Sequence, residues 1–167
     1  MGVGDAAVKI ETTGIDEIID QMGKMQQLTG DVAQAMLRAG GNVFQREWIS
    51  EAEKRKHRKT GYMIKNIGFG KPKTKNGTLQ VEVYPQGYGK PQGKRGTRTR
   101  NSVKAFVLHH GRAPGPDRIG EIKADEWVKS VVLNATDESN QAMADVWGKF
   151  IATGDVPAVK KLSKGKK

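Results

Sequence analysis

Apolar residues in the first sixty positions change their spacing twice. From Val8 to Thr13 they alternate with polar residues, the period of a short strand with one buried face, and Gly14 breaks it. Ile15, Ile18, Ile19, Met22 and Met25 then recur at three- and four-residue intervals, which predicts a helix over 15–28 with Asp16, Glu17 and Asp20 near its positive end. Thr29-Gly30 reads as a stop and Asp31 as the N-cap of the next element, a long helix from Val32 to about His57. Val32, Met36, Ala39 and Val43 form one stripe of that helix and Leu37, Phe44 and Trp48 a neighbouring one. An apolar face that wide suits a helix lying across a sheet or against a second subunit. Gly40-Gly41 in its interior disfavours helix by roughly 1 kcal/mol per glycine relative to alanine. The pair marks either a kink or a close approach of another backbone, and small residues favour the second. Gly40, Gly41, Phe44 and Trp48 are therefore candidates for oligomer packing.

The middle of the chain reads as strands. Tyr62–Phe69 is expected to be one, Asn76-Gly77 a tight hairpin turn, and Thr78–Tyr84 the return strand, burying Leu79, Val81 and Val83 on one face. Pro85–Asn101 has no hydrophobic period and is expected to form a long loop. Ser102–His109 reads as a further strand. Two closing helices are expected over Ala124–Asn134 and Asp137–Ile151, the second stopped by Gly154. The sum is an α+β fold: a small antiparallel sheet packed by a long N-terminal helix and C-terminal helices, with long basic loops. Residues 1–155 are expected to be one domain and 156–167 a flexible basic tail.

Composition adds a constraint on partners. The 167 residues carry a net charge of +11, and sixteen basic side chains against one acidic one, Glu82, fall between Lys54 and Arg112. Desolvating unpaired cations costs several kcal/mol each, so these groups must face water, a polyanion or an acidic surface. The candidates for such contacts are Lys54, Arg55, Lys56, Arg58 and Lys59 at the end of the long helix, Lys90, Lys94, Arg95, Arg98 and Arg100 in the long loop, and Arg112 beyond it. No cysteine is present, which excludes disulfides, zinc–thiolate sites and thiol catalysis. No run reaches the ~18 apolar residues of a membrane span, and the first ten residues lack the pattern of a signal peptide. The expectation is a soluble protein made inside a cell, with no membrane contact.

Signals for catalysis are poor. Gly89-Lys90-Pro91-Gln92-Gly93-Lys94-Arg95 departs from a phosphate loop in glycine spacing, and Arg95 stands where a magnesium-holding hydroxyl belongs. On a strand His109 and His110 would point to opposite faces and could not share a metal. His57 lies among cations, and no zinc-protease motif or nucleophile elbow occurs. No catalytic residue, metal or cofactor is expected. Nucleic acid is the stronger prospect. The basic segment could contact many phosphates without reading sequence, and Tyr62, Tyr84 and Tyr88 could stack on bases, although they serve equally well as strand and turn residues. No recognised nucleic-acid module is visible. DNA and an acidic protein surface stay open as the anion.

Taken in order, Gly14-Ile15-Asp16-Glu17, the alanine-rich Ala33–Ala39, Thr60-Gly61-Tyr62 with Ile67, Val81-Glu82-Val83-Tyr84-Pro85, and Ala105-Phe106-Val107-Leu108-His109-His110-Gly111 carry a resemblance. Over roughly Val8 to Phe150 the chain resembles the tail-completion or neck (head–tail joining) family of long-tailed double-stranded DNA phages. It departs from that pattern at Lys59, where the family has an acid, and at His109-His110-Gly111-Arg112, where the family has Glu-Phe-Gly-Thr. Pro114-Gly115-Pro116 and Trp127 replace a stretch rich in proline, phenylalanine and leucine. The resemblance implies a structural virion protein, assembled in the host cytoplasm into a homo-oligomeric ring, six-fold to match the tail tube. Its partners would be other connector and tail-tube proteins and packaged DNA, with no reaction and no cofactor. The alternative is a protein that binds nucleic acid without sequence preference.

Overall fold

The computed structural model describes residues 8–9, 29–57, 61–91, 98–115 and 120–162. Two long helices dominate it: α1 over Thr29–Lys54 and, far along the chain, a second over Trp127–Thr153. Between them come β1 (Val8–Lys9, preceding α1), α2 (Tyr62–Lys65), β2 (Ile67–Phe69), β3 (Lys73–Lys75), β4 (Thr78–Gln80), β5 (Glu82–Pro85) and α3 (Asn101–His110), so the closing helix is α4. The fold class is α+β, as the hydrophobic pattern implies. The expected helix over 15–28 lies outside the described residues.

Helix α1 buries both of its apolar stripes. At about 1.5 Å per residue it is roughly 39 Å long, and α4 matches it in length and runs antiparallel to it. Near one end of the pair Val32, Ala35 and Met36 pack with Met143, Val146 and Phe150. Near the other Phe44, Trp48 and Ala52 pack with Trp127, Val131 and Ala135, joined by Ile67, Val81 and Val83 from the strands. Trp48 and Trp127 meet edge to face with ring centroids 4.8 Å apart. Such a pair contributes about 0.5–1.5 kcal/mol beyond its burial.

The close approach inferred at Gly40-Gly41 is made within the chain. A Cβ on Gly40 would lie 2.6 Å from Ser139 Oγ and 3.0 Å from Met143 Sδ of α4, and one on Gly41 would lie 3.0 Å from the Phe69 ring. Phe44 and Trp48 are buried in the same core. These four residues therefore shape the chain's own interior, and a second copy has no access to them in this conformation. The apolar face too wide for a sheet alone is divided between the sheet and α4.

Strand β5 is the centre of a three-stranded antiparallel sheet, β1-β5-β2, with Val8 opposite Val83 and Gly68 opposite Tyr84. Strands β3 and β4 form a separate hairpin around Asn76-Gly77, both at positive φ (51° and 79°), as that dipeptide predicts. Gln45, buried on α1, donates from Nε2 to the Ile67 carbonyl at 3.1 Å and ties helix to sheet.

Four expectations need correction. The helix already includes Thr29 and Gly30, so Asp31 lies in its first turn and is not the cap. Tyr62–Lys65 is a helical turn: Met63, Ile64 and Ile67 are buried at helical spacing, and Asn66 Nδ2 donates to the Tyr62 carbonyl at 2.7 Å. Residues 101–110 are helix α3, not a strand, burying Asn101, Ser102 and Ala105 on one side. The two closing helices are one. The polar break seen around Asn134–Asp137 is absorbed, because Asn134 Nδ2 donates to Glu47 on α1 at 2.9 Å and Thr136 Oγ1 to the Val132 carbonyl at 2.6 Å. Gly154 does end the helix, at φ 75°.

The chain then turns back along α1. Val156 and Val159 pack on the Val32–Phe150 cluster. Asn42 grips the segment twice, donating to the Lys160 carbonyl at 3.0 Å and accepting from the Leu162 N–H at 3.1 Å.

Candidate partner-facing surface

The basic residues divide by what holds them. At the end of α1, Lys54 Nζ donates to Glu51 Oε1 at 2.8 Å and Arg55 Nε to Glu51 Oε2 at 3.1 Å. Arg55 reaches further, to the Asp125 carboxylate, to the Asp125 carbonyl at 2.9 Å and to Ser130 Oγ at 2.9 Å. His57 Nε2 lies 2.8 Å from Asp125 Oδ2 and its ring stands against Trp127, with centroids 5.1 Å apart. One guanidinium thus fastens the end of α1 to the start of α4, directly over the tryptophan pair.

Electrostatics follow from that geometry. The hydrogen bond from Lys54 holds the Glu51 carboxyl below its ordinary value against the opposing effect of burial, with Arg55 adding to the depression. Asp125 first and Glu51 second raise the Arg55 guanidinium. As a partner-facing candidate Arg55 is used up inside the fold. Lys54 keeps an exposed side chain beside its carboxylate, and Lys56, at φ 57°, is exposed. Arg58 and Lys59 lie outside the described residues.

The second group lies on a two-stranded ribbon. Tyr88 bridges Arg100 in antiparallel register, bracketed by Gly89 N–H donating to the Thr99 carbonyl at 3.0 Å and Asn101 N–H donating to the Gly87 carbonyl at 2.9 Å. Aromatic rings support two of the cations. Arg100 Nε donates to the Tyr88 hydroxyl at 3.3 Å with its guanidinium 5.9 Å from the ring centroid, and Lys90 Nζ stands 5.7 Å from the centroid of Tyr62 on α2. Tyr62 and Tyr88 are both exposed, and Lys90 and Arg98 are exposed beside them. Lys94 and Arg95 lie outside the described residues.

Buried Asn101 anchors the ribbon's base, with Nδ2 donating to the Gln86 carbonyl at 2.7 Å. Arg112 is set apart: half-buried, it exchanges backbone hydrogen bonds with Ile122 (2.7 and 2.9 Å). His109 and His110, expected on opposite faces of a strand, end α3 with their rings 4.4 Å apart. His109 Nδ1 accepts from the Val128 N–H, in the first turn of α4, at 3.4 Å. Burial first, and His110 second, push the His109 imidazole below its ordinary value.

Sequence reasoning found the ribbon's cations but missed the clasp, since Asp125 lies 70 residues from Arg55. Among the described residues no cluster of three or more histidine or acidic side chains could hold a metal, and no helix is long and apolar enough to cross a membrane.

A paired-helix α+β scaffold that carries a cationic, tyrosine-lined ribbon has the form of a binding or assembly subunit. Residues 16–88 match a family model described as "Bacteriophage HK97-gp10, putative tail-component", a span that takes in α1, α2 and strands β2 to β5 and ends at Tyr88. Over that span the chain is similar to a phage tail component, in keeping with its resemblance to the neck and tail-completion proteins. No curated protein and no solved structure matches the chain significantly.

Proposed function

We propose that the chain is a structural protein of a bacteriophage virion: a head–tail connector subunit of the tail-completion or neck type that assembles into a ring, six-fold to match the tail tube. The observation that carries this reading is the family match over residues 16–88, which covers α1 and strands β2 to β5. The subunit assembles in the host cytoplasm, contacts other connector and tail-tube proteins, and performs no reaction. The charge supports a crowded position. A ring that repeats a cationic segment around an axis needs acidic neighbours or DNA to offset its self-repulsion. Since Gly40, Gly41, Phe44 and Trp48 are consumed internally, subunit contact moves to the outward face of α4. There Leu133 and Ile151, 78% and 61% exposed, lie eighteen residues apart and so on the same line of the helix.

Sedimentation of the purified chain, alone and with its tail tube, tests this. Closed rings in negative-stain images, lost on Leu133→Lys/Ile151→Lys without loss of helicity, are expected. A chain that stays monomeric at tens of micromolar with the tube present overturns the connector reading. The second reading, a nucleic-acid-binding protein acting alone, is favoured by the cationic ribbon, and a DNA-binding monomer would be its signature.

A further inference from the structure

We propose that residues 155–162 form an arm that neighbouring copies exchange: in the assembled ring, the arm of one subunit lies in the groove along α1 of the next. It rests on the ring reading of the proposed function and deepens it, because it names the segment and the seat that join the subunits.

The seat fits this segment and asks little of how the segment arrives. Asn42 on α1 holds the arm by its main chain, donating from Nδ2 to the Lys160 carbonyl at 3.0 Å and accepting from the Leu162 N–H at 3.1 Å. One side-chain amide thus meets the carbonyl and the N–H on either side of Lys161, as the backbone of a neighbouring strand would. Lys161 stands with Nζ 5.6 Å from the centroid of the Phe69 ring, the ring that also closes on Gly41. Upstream, Val156 and Val159 pack on the apolar cluster of Val32, Met36 and Phe150. An identical arm from another copy would make the same contacts, so exchange conserves them.

Seating within one chain is incomplete. Between the first half of the arm and α1 lies an open cavity of about 340 Å³, lined by Asp31, Gln34, Ala35 and Arg38 on one side and residues 156–160 on the other. Packed interiors leave few voids larger than a water molecule. The cavity lies just past the reversal of the chain at Gly154, and Val156 and Val159, which line it, stay half-buried. That reversal holds the start of the arm off α1. An arm that crosses from a neighbour is free of the turn and can settle onto Ala35 and the apolar cluster.

The joint can open. Gly154 ends α4 at φ 75°, is exposed, and no atom of the described residues lies within 4 Å of the place its Cβ would take. Across it the Asp155 N–H donates to Thr153 Oγ1 at 3.2 Å, an exposed hydrogen bond. A change at one or two backbone positions therefore redirects the arm. Fully extended, its eight residues reach about 26–29 Å, enough to cross a subunit boundary. The joint also lies three residues beyond exposed Ile151, so the arm leaves the chain beside the neighbour proposed to dock on α4. Each copy gives one arm and receives one, a head-to-tail contact of the kind that closes into rings.

The chain has no cysteine, so introduced thiols report alone. Arg38→Cys places one on α1 and Lys160→Cys one on the arm, at exposed positions that line the same cavity. The two single variants, one lengthened by an affinity tag, are mixed as monomers, assembled with the tail tube and treated with a short bismaleimide. Exchange predicts a cross-linked species with one chain of each kind, formed in rings and absent from dilute monomer. The double variant Arg38→Cys/Lys160→Cys should link into a ladder of oligomers in rings and close within single chains when dilute. Asn42→Ala should raise the concentration at which rings form by about tenfold, through loss of both clamp hydrogen bonds, with circular dichroism unchanged.

Rings in which the mixed single variants stay unlinked while the double variant closes within each chain would overturn the exchange and leave the connector reading standing. Rings in which neither links do the same, since the arm then occupies no groove. So do Asn42→Ala rings that form at the wild-type concentration. A chain that stays monomeric at tens of micromolar with the tube present overturns the connector reading itself, and the exchange with it.

Discussion

The end of α1 and the ribbon carry the same kind of charge and use it in opposite ways. At the helix end Arg55 spends its guanidinium on Glu51, Asp125 and Ser130, so charge becomes a fastener between two helices. On the ribbon Lys90 and Arg100 lean on tyrosines, with Arg98 exposed beside them. The difference is one of neighbours. Cations beside carboxylates stabilise the fold, whereas Lys90, exposed and held over the Tyr62 ring, keeps its charge toward solvent. A count of basic residues along the chain treats both groups as one footprint, and only the placement of Asp125 separates them.

Substitutions should widen that separation. The largest effect is expected at Trp127, fully buried beneath the clasp with Trp48 on one side and His57 on another. Trp127→Ala should destabilise the chain by about 3–5 kcal/mol, read from urea unfolding. Arg55→Ala comes next. It strands Glu51 and Asp125 at a part-buried site, and solvent access to the guanidinium reduces the loss to about 1–3 kcal/mol. Arg55→Lys should recover only part of it, because a single ammonium cannot span the three partners. Lys90→Ala/Arg98→Ala should stay within about 0.5 kcal/mol of wild type. Equal destabilisation by the Arg55 and ribbon variants would erase the distinction between fastener and docking surface.

The sequence reveals helices whose period is long and unbroken, and fails where short apolar runs or polar interruptions leave the period undecided. α1 is legible because its two stripes persist from Val32 to Trp48, nearly five turns. Val103–Leu108 is not, since a contiguous apolar run fits a strand or one side of a short helix, and the contacts of Ala105 and Leu108 with the core decide it. Asn134–Asp137 resembles a helix stop followed by a cap. Its polar side chains instead find partners on α1 and on the helix's own backbone, while Ala135 stays buried, so the helix continues. Gly40-Gly41 signals close packing without revealing the partner, which proved to be Ser139, Met143 and Phe69, distant in sequence. The candidate surface follows the same rule. Its cations are visible as residues, but their pairing with Tyr88, Tyr62 or Asp125 depends on the register of the ribbon and the meeting of α1 with α4.

The smallest effect expected is a pH dependence at the clasp end of the molecule that the ribbon does not share. His109 accepts from the Val128 N–H, which requires an unprotonated Nδ1, and burial followed by His110 depresses its imidazole below the ordinary 6.5. A base depressed in the folded state contributes stability that is complete above its unfolded value. That contribution is lost as pH falls below 6.5 toward the folded value. Glu51, depressed by Lys54 and then Arg55, acts at lower pH: its contribution is present above the ordinary 4.5 and disappears as pH falls through the folded value. Unfolding free energy measured from pH 8 to pH 3 should therefore decline in two steps. His109→Phe should remove the upper step and lower stability at pH 8 by about 0.5 kcal/mol, the low end of the range for a long hydrogen bond. Glu51→Gln should reduce the lower step and leave the part from Glu126, which the hydrogen bond from Lys129 also holds below 4.5. Lys90→Ala/Arg98→Ala should leave both in place, because among the described residues no carboxylate or imidazole is paired with Lys90 or Arg98. A ribbon variant that flattened either step would mean that the two basic groups are coupled through the fold.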